Sequence, residues 1–352
     1  MKLFIFKKSL TLFRALFLVT ALAIPAQTND ANTGIVGESL VLVAEEEAFL
    51  LCENILPETV VVRSTYLADK ENSQVYKEGV DYLLDPDKGT LRRTAQSAIP
   101  DFSTNMLYGE KEFNHVDFPG FGNSDFFVYV DYESAEKLDL FTPTLQEASL
   151  KKSKKRLEEG GDFKVIAYGD SITAGGDASE LKLQFPERYA TWLGEQFPQA
   201  HIILENGATG GDSTVQGIER LEEKVLSREP DLVLVGFGMN DHNKGWIEPE
   251  DFGTKLTHIV SSIKESTGAE VILFSAFPPN PDWKHGSHRM EAYAAVTEEV
   301  ASEQNCAYAD VFASWIRALE RKDCASLLGN NINHPSDFGH WLYFEVLKSV
   351  GF

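Results

Sequence analysis

One serine and one histidine offer the clearest chemistry in this sequence. Ser171 stands in Gly169-Asp170-Ser171-Ile172-Thr173, directly after the apolar run from Val165 to Tyr168. A serine just past a buried strand, beside glycine and aspartate, can sit at the start of a helix. There its hydroxyl projects into a cleft and its backbone N–H lies at the positive helix end, suited to a developing oxyanion. On this loop alone, a plain helix-capping serine explains the pattern equally well. Acyl transfer also needs a base. His334 stands in Asn331-Ile332-Asn333-His334-Pro335, just before the last helix. A lone loop histidine is usually solvent-facing or structural. This one is a candidate because it precedes a helix of the same sheet and can reach the strand ends.

The elements that must position these residues follow from the hydrophobic periodicity. From about Asp162, strands alternate with helices. Strands are expected at 165–168, 202–204, 232–235, 271–277 and about 307–311. Pro186 opens a helix with Tyr189, Trp192, Leu193 and Phe197 on one face. Ser213 can cap the next, with Val215, Ile218, Leu221 and Val225 inward. Further helices are expected over about 249–266, 291–302 and 336–350, the first burying Leu256, Ile259, Val260 and Ile263. The run 232–235 is wholly apolar, as in a strand buried on both faces. Five successive βα units predict a five-stranded parallel sheet in a three-layer α/β/α, flavodoxin-like domain. Ligands bind such sheets beyond the carboxyl ends of the strands. The polar, glycine-containing segments 169–173, 206–214 and 236–241 fall at those ends.

Ahead of this domain the pattern is different. Short β-type runs at 40–43, 60–64 and 126–132 are separated by turn signals such as Asp85-Pro86-Asp87-Lys88-Gly89. They predict a small all-β, sandwich-like domain over about 30–146. The connector 147–161 carries Lys151, Lys152, Lys154, Lys155 and Arg156, then Glu158 and Glu159. Its mixed charge reads as a solvated helical linker rather than a binding patch. Residues 162–352 form the catalytic domain in this division.

With the strand ends placed, the sequence resembles the SGNH hydrolase family, also called GDSL esterases and lipases, from about Asp162 to the C-terminus. Gly169-Asp170-Ser171-Ile172-Thr173 resembles the nucleophile block. Asn206-Gly207-Ala208-Thr209-Gly210-Gly211-Asp212-Ser213 resembles the second block, Gly238-Met239-Asn240-Asp241 the third, and His334-Pro335 with Gly339-His340 the histidine block. Each motif alone is weak; their order and placement at strand ends make the resemblance specific. It implies that Ser171 attacks an ester carbonyl and that His334 takes its proton and later gives it to the leaving alcohol. It further implies an oxyanion held by the backbone N–H groups of Ser171 and Gly211 and by the Asn240 side chain. Each has an ordinary structural alternative, Gly211 serving a tight turn and Asn240 capping a helix.

One departure stands out. The family usually places aspartate three residues before the histidine, and here that residue is Asn331. An amide oxygen can accept a hydrogen bond from imidazole but brings no charge to stabilise imidazolium. Three explanations are open: Asn331 orients His334 in a dyad-like arrangement, another carboxylate such as Asp337 or Asp323 takes the role, or the enzyme is impaired.

Composition bounds the rest. The chain has 352 residues, 43% hydrophobic, with a net charge of -22. Such a surface repels phosphate backbones and anionic membranes, so nucleic acid is not an expected partner. Lys2, Lys7, Lys8 and Arg14, then a mostly apolar run ending near Ala26, read as a signal peptide over 1–26. The expected location is therefore secreted or periplasmic, with no integral membrane segment after cleavage. Of three cysteines, Cys306 and Cys324 could pair, and Cys52 reads as a buried thiol. No zinc spacing is present in the sequence, so no metal or cofactor is expected. His285 and His288 near Trp283 suggest a substrate-facing or solvent loop more than a metal pair, and His242 either lines the cleft or lies on the surface.

These features together predict a secreted serine carboxylester hydrolase acting through an acyl-enzyme on a small-molecule or polysaccharide ester, with deacetylation of a carbohydrate favoured. A lipid or cell-envelope acyl hydrolase is the alternative within the class. A non-catalytic carbohydrate-binding protein on a hydrolase scaffold is the alternative outside it, supported only by Asn331.

Overall fold

The N-terminal region builds two antiparallel sheets from β1 (Thr33–Leu40), β2 (Ala48–Phe49), β3 (Val61–Arg63), β4 (Tyr82–Asp85), β5 (Thr90–Arg93) and β6 (Val128–Ser134). Their orders are β1-β6-β3 and β2-β5-β4. These are taken from a computed structural model that describes residues 33–140, 146–243 and 247–352. The expected signal peptide, 1–26, lies outside the described residues.

The first strand differs from its expected place at 40–43. It ends at Leu40, and Val41 and Leu42 are buried outside the sheet. The reason is Glu38, which breaks the apolar alternation yet is fully buried. Its carboxylate takes the Lys322 ammonium at 2.5 Å, the Tyr132 hydroxyl at 2.6 Å and the Leu51 N–H at 2.9 Å. A buried charge is tolerated only when paired and hydrogen-bonded in this way. Because Lys322 belongs to the C-terminal half, the same pair ties the two regions together. Asn123 adds to that seam: its backbone N–H donates to the Gly329 carbonyl at 2.7 Å and its amide to the Leu328 carbonyl at 2.8 Å. Residues 32–352 form one compact unit.

The connector folds as α1 (Lys151–Glu159). Its basic residues lie largely outward, while Ser153 and Leu157 are buried. The Glu270 carboxylate accepts the N–H groups of Lys152 and Ser153 at 3.0 and 2.7 Å. An anion there satisfies donors left free by the first helical turn.

The second region runs β7 (Gly161–Gly169), α2 (Phe185–Gln196), β8 (Ala200–Asn206), α3 (Thr214–Lys224), β9 (Leu232–Gly236), α4 (Pro249–Thr267), β10 (Glu270–Phe274), α5 (Met290–Glu303), β11 (Ala307–Ala309), α6 (Val311–Leu319) and α7 (Asp337–Ser349). The five strands are parallel, in the order β11-β10-β9-β7-β8. The chain moves outward from β7 to β8, then returns to the other side of β7 for β9. The crevice at this reversal lies beyond the ends of β7 and β9. Leu232, Val233, Leu234 and Val235 are all fully buried, as a strand covered on both faces requires.

Ser213 caps α3, and Gln216 completes a capping box. One helix escaped sequence reading. The fifth strand was expected to run to Val311 but stops at Ala309, and Asp310 then caps α6 by accepting from the Ala313 N–H at 2.9 Å. Val311, Trp315 and Ala318 form its buried face. The fourth strand likewise stops at Phe274, and Phe277 stacks on Trp315 with ring centroids 3.9 Å apart.

Candidate active site

Ser171 lies just beyond the carboxyl end of β7, in a turn that closes on itself. Ala174 donates to the Asp170 carbonyl at 2.9 Å, and Gly176 to the Ser171 carbonyl at 2.8 Å. Asp170 is buried beneath this turn and accepts the Ile172 N–H at 2.9 Å. Burial pushes its carboxyl up to about 7, against the opposing pull of that N–H. The next α-helix begins at Phe185, so Ser171 is not its capping residue.

The Ser171 hydroxyl oxygen and His334 Nε2 are 2.8 Å apart. On the other side of the ring, His334 Nδ1 lies 2.6 Å from Asp177 Oδ2. This is the order nucleophile, base, carboxylate that hydroxyl activation needs. His334 is presented by a tight loop. The Asn330 side-chain oxygen accepts the N–H groups of Ile332, Asn333 and His334, each at 2.9 Å, and Gly329 donates to the His334 carbonyl at 2.9 Å.

The carboxylate corrects the sequence reading. Asn331 does not orient His334: it is buried, and its carbonyl accepts from the Asn280 amide at 2.8 Å. Asp337 accepts the Ser179 N–H at 2.7 Å, and Asp323 accepts the Ser326 N–H at 2.8 Å. Asp177 takes the place instead, from the nucleophile loop itself. Two glycines make room for it. A Cβ on Gly329 would lie 2.5 Å from Asp177 Cβ, and a Cβ on Gly176 would lie 2.8 Å from His334 Nδ1. Asp177 itself adopts a left-handed φ of 62°. Aspartate tolerates this conformation better than most residues, at some local cost. The Asp177, Gly176 and Gly329 cluster is scattered over two loops, so no block in the sequence points to it.

The remaining expected residues lie on loops joined by hydrogen bonds to the nucleophile turn and to each other. Thr209 donates to the Gly169 carbonyl at 3.0 Å, and the Asn206 amide to the Thr173 carbonyl at 3.0 Å, so the second block is laced to the nucleophile turn. A Cβ on Gly210 would lie 3.8 Å from Ser171 Cβ. Gly211 has a φ of 81°, a conformation that favours glycine. Asn240 donates one amide hydrogen to the Asp212 carbonyl at 3.0 Å, leaving its second N–H unused by that bond. The N-cap of α4 is Glu248, not Asn240. Among the described residues, neither the Ser171 nor the Gly211 backbone N–H donates to a protein acceptor. Asp241 fixes the third block by accepting from the Thr214 N–H at 3.0 Å and the Gly238 N–H at 3.2 Å.

Other histidines play different parts. His242 neither lines the cleft nor reaches the surface: it is buried, its Nδ1 against the Met239 carbonyl. His340 is buried behind the site, with Nε2 3.1 Å from the Gly176 carbonyl. Burial pushes both imidazoles down to about 4. At these two sites the folded chain refuses protons that the unfolded chain accepts below about pH 6.5, so their contribution to stability is full above that pH and is lost as pH falls towards 4. It is opposite in sign to that of Asp170, whose raised carboxyl stabilises the fold as pH falls below about 7. Thermal melts at pH 7.5 and 5 should therefore be compared between proteins: on going to pH 5, Tm should change less unfavourably in His242→Gln than in the wild type. An equal change in both proteins would contradict the assignment for His242.

His285 Nε2 lies 3.1 Å from the Asn114 side-chain oxygen, and His288 is exposed. Among the described residues, no group of three or more histidine, cysteine or acidic side chains is arranged to hold a metal ion. Cys52, Cys306 and Cys324 are all free, so the considered Cys306–Cys324 pairing is absent.

Residues 167–342 match the model of the GDSL-like lipase/acylhydrolase family. The chain belongs to that family. Its relatives include an arylesterase of Vibrio mimicus, 29% identical over 38% of this chain and 66% of that protein. They also include an acetylxylan esterase of Geobacillus stearothermophilus, 23% identical over 55% of this chain and 96% of that protein. The match to the thioesterase 1/protease 1/lysophospholipase L1 of Escherichia coli is 24% identical and spans 62% of that enzyme. Among solved structures, a two-domain esterase active on acetylated mannans aligns with a TM-score of 0.49 at 24% identity, over 57% of this chain and 53% of that one.

Proposed function

We propose that this family member is an exported serine esterase that removes acetyl groups from a carbohydrate through an acyl-enzyme. The observation that carries the reading is the unbroken contact from Ser171 through His334 to Asp177. Ser171 Oγ attacks the ester carbonyl while His334 Nε2 takes its proton, and Asp177 holds the ring through Nδ1. The negative charge that develops on the carbonyl oxygen is received by the N–H groups of Ser171 and Gly211 and the second amide N–H of Asn240. Collapse expels the alcohol, with the proton returned by His334. Water, activated by the same ring, then releases the acid and restores Ser171.

Two features favour an acetylated glycan. The relative matched over 96% of its own length is an acetylxylan esterase. The 1–26 leader directs the chain outward, where such polymers lie. Within this reading, residues 30–146 serve as a β-rich region packed on a catalytic region of 162–352, with 147–161 connecting them. The non-catalytic alternative loses its support, since it rested on Asn331 and the carboxylate is supplied by Asp177.

The test compares acyl chain lengths on one leaving group, together with acetate release from acetylated xylan. The acetyl ester should exceed the decanoyl ester in kcat/KM by about tenfold or more, a discrimination within reach of a closed acyl pocket. A decanoyl preference without acetate release from xylan would favour the lipid or envelope acyl hydrolase instead.

A further inference from the structure

A cavity of about 350 Å³ lies where the β-rich region meets the hydrolase region, apart from the Ser171 turn. Its size falls in the range of small-ligand sites. Its lining includes Phe49 and Tyr108 from the first region and Asn280 and Asn331 from the second. Tyr108 is 43% exposed and packs edge-on against Phe102, so its ring is available as a platform. Asn280 and Asn331 are only 6% and 4% exposed, yet both contribute to the cavity wall. Asn280 donates to the Asn331 carbonyl. The Asn331 side-chain oxygen accepts a longer contact from the Asn280 amide at 3.4 Å, and as part of the wall its own amide N–H can donate to a ligand acceptor in the cavity.

The carboxylates around the cavity divide into two groups. Asp282 is paired with Lys111, Glu47 with Lys88, and Asp323 caps Ser326; Arg321, also on the wall, is paired with Glu53 and lies over the Phe49 ring. Glu46 and Glu110 form no ion pair among the described residues and stand as free acceptors at the wall. An aromatic face, free carboxylates and an amide donor match a pyranose, whose apolar ring face stacks while its hydroxyls donate and accept. The wall carries five carboxylates against one guanidinium, Arg321, already paired with Glu53, and so disfavours uronates and sulfated sugars. This also gives a physical sense to Asn331. A carboxylate there would add another negative charge to the wall, and with Asp177 serving His334 the position is free to be a neutral donor.

We propose that this cavity is a second glycan site, which takes one uncharged sugar unit with Tyr108 as its platform and the Asn331 side-chain amide as a donor on its wall. The choice of a glycan rests on the carbohydrate-ester reading above. Asn331 lies in the same loop as His334, so a chain held here is held beside the reacting loop.

The test is calorimetric titration of the Ser171→Ala protein with unacetylated xylohexaose and mannohexaose. Saturable binding of at least one is expected, weakened about fivefold to tenfold by Tyr108→Ala, as loss of one stacking ring implies, and weakened also by Asn331→Asp. Since Tyr108 is half-exposed, that variant should melt like its parent. Absence of binding by both oligosaccharides overturns the proposal. So does unchanged affinity in both variants, and so does tighter binding of a chitosan hexamer, which would mark a cation site. A parallel assay of the wild type on an aryl acetate separates the two readings. Hydrolysis without glycan binding sinks only the second site, and glycan binding without hydrolysis sinks only the esterase reading.

Discussion

Replacing Asp177 with asparagine should lower kcat on a small aryl acetate by about 10⁴, the cost of the same change in the serine-protease triad. The carboxylate holds His334 with its proton on Nδ1, leaving Nε2 bare to accept the Ser171 proton. An asparagine can turn its N–H₂ towards Nδ1 instead. The ring then carries its proton on Nε2, the wrong tautomer for a base. KM should change little, because Asp177 reaches the reaction only through the ring. The double variant Asp177→Asn/Asn331→Asp should stay as slow as the single one. The Asn331 side chain faces Asn280 and the junction cavity, not the imidazole. Near-normal kcat in Asp177→Asn would show that His334 is oriented by something else. Recovery in the double variant would show that residue 331 can still reach it.

Replacing Ser171 with alanine should cost more, about 10⁶ in kcat, as for the nucleophile of a serine hydrolase. A residual rate of about 10³–10⁴ over water is expected, because the oxyanion donors survive the change. Removing His334 as well should add little, since a nucleophile without its base and a base without its nucleophile fail at the same step. Retention of more than a few per cent of activity in Ser171→Ala would place the nucleophile elsewhere.

The parallel sheet was legible because its strands are unbroken apolar runs and its helices have clear faces. Ser171 and His334 could be singled out because each lies in a short block beside a strand end, and the structure brings their side chains to 2.8 Å. Gly211 and Asn240, singled out in the same way, lie on loops joined by the Asn240–Asp212 hydrogen bond. Three features were not legible, each for a physical reason. β1 was misplaced because a charged residue, Glu38, occupies a buried position that only the distant Lys322 makes tolerable. Helix α6 was missed because its first turn continues the apolar run of β11, and only the Asp310 cap marks the boundary. Asp177 was missed because aspartate in a glycine-rich loop is ordinary. Its role depends on Gly176 and Gly329 letting two loops approach, and their separation in sequence hides that contact. Here the carboxylate beside the imidazole comes from the nucleophile loop, 2.6 Å from Nδ1, and not from the histidine block.

Covalent trapping tests the central claim most directly. The wild-type protein would be treated with an aryl phosphonate that reacts only with an activated serine, then digested for peptide mass mapping. The expected result is one adduct per chain, on the peptide that carries Ser171, with activity lost in proportion and labelling slowed sharply in Asp177→Asn. An adduct on a different serine, or full modification of Ser171 with esterase activity intact, would contradict it.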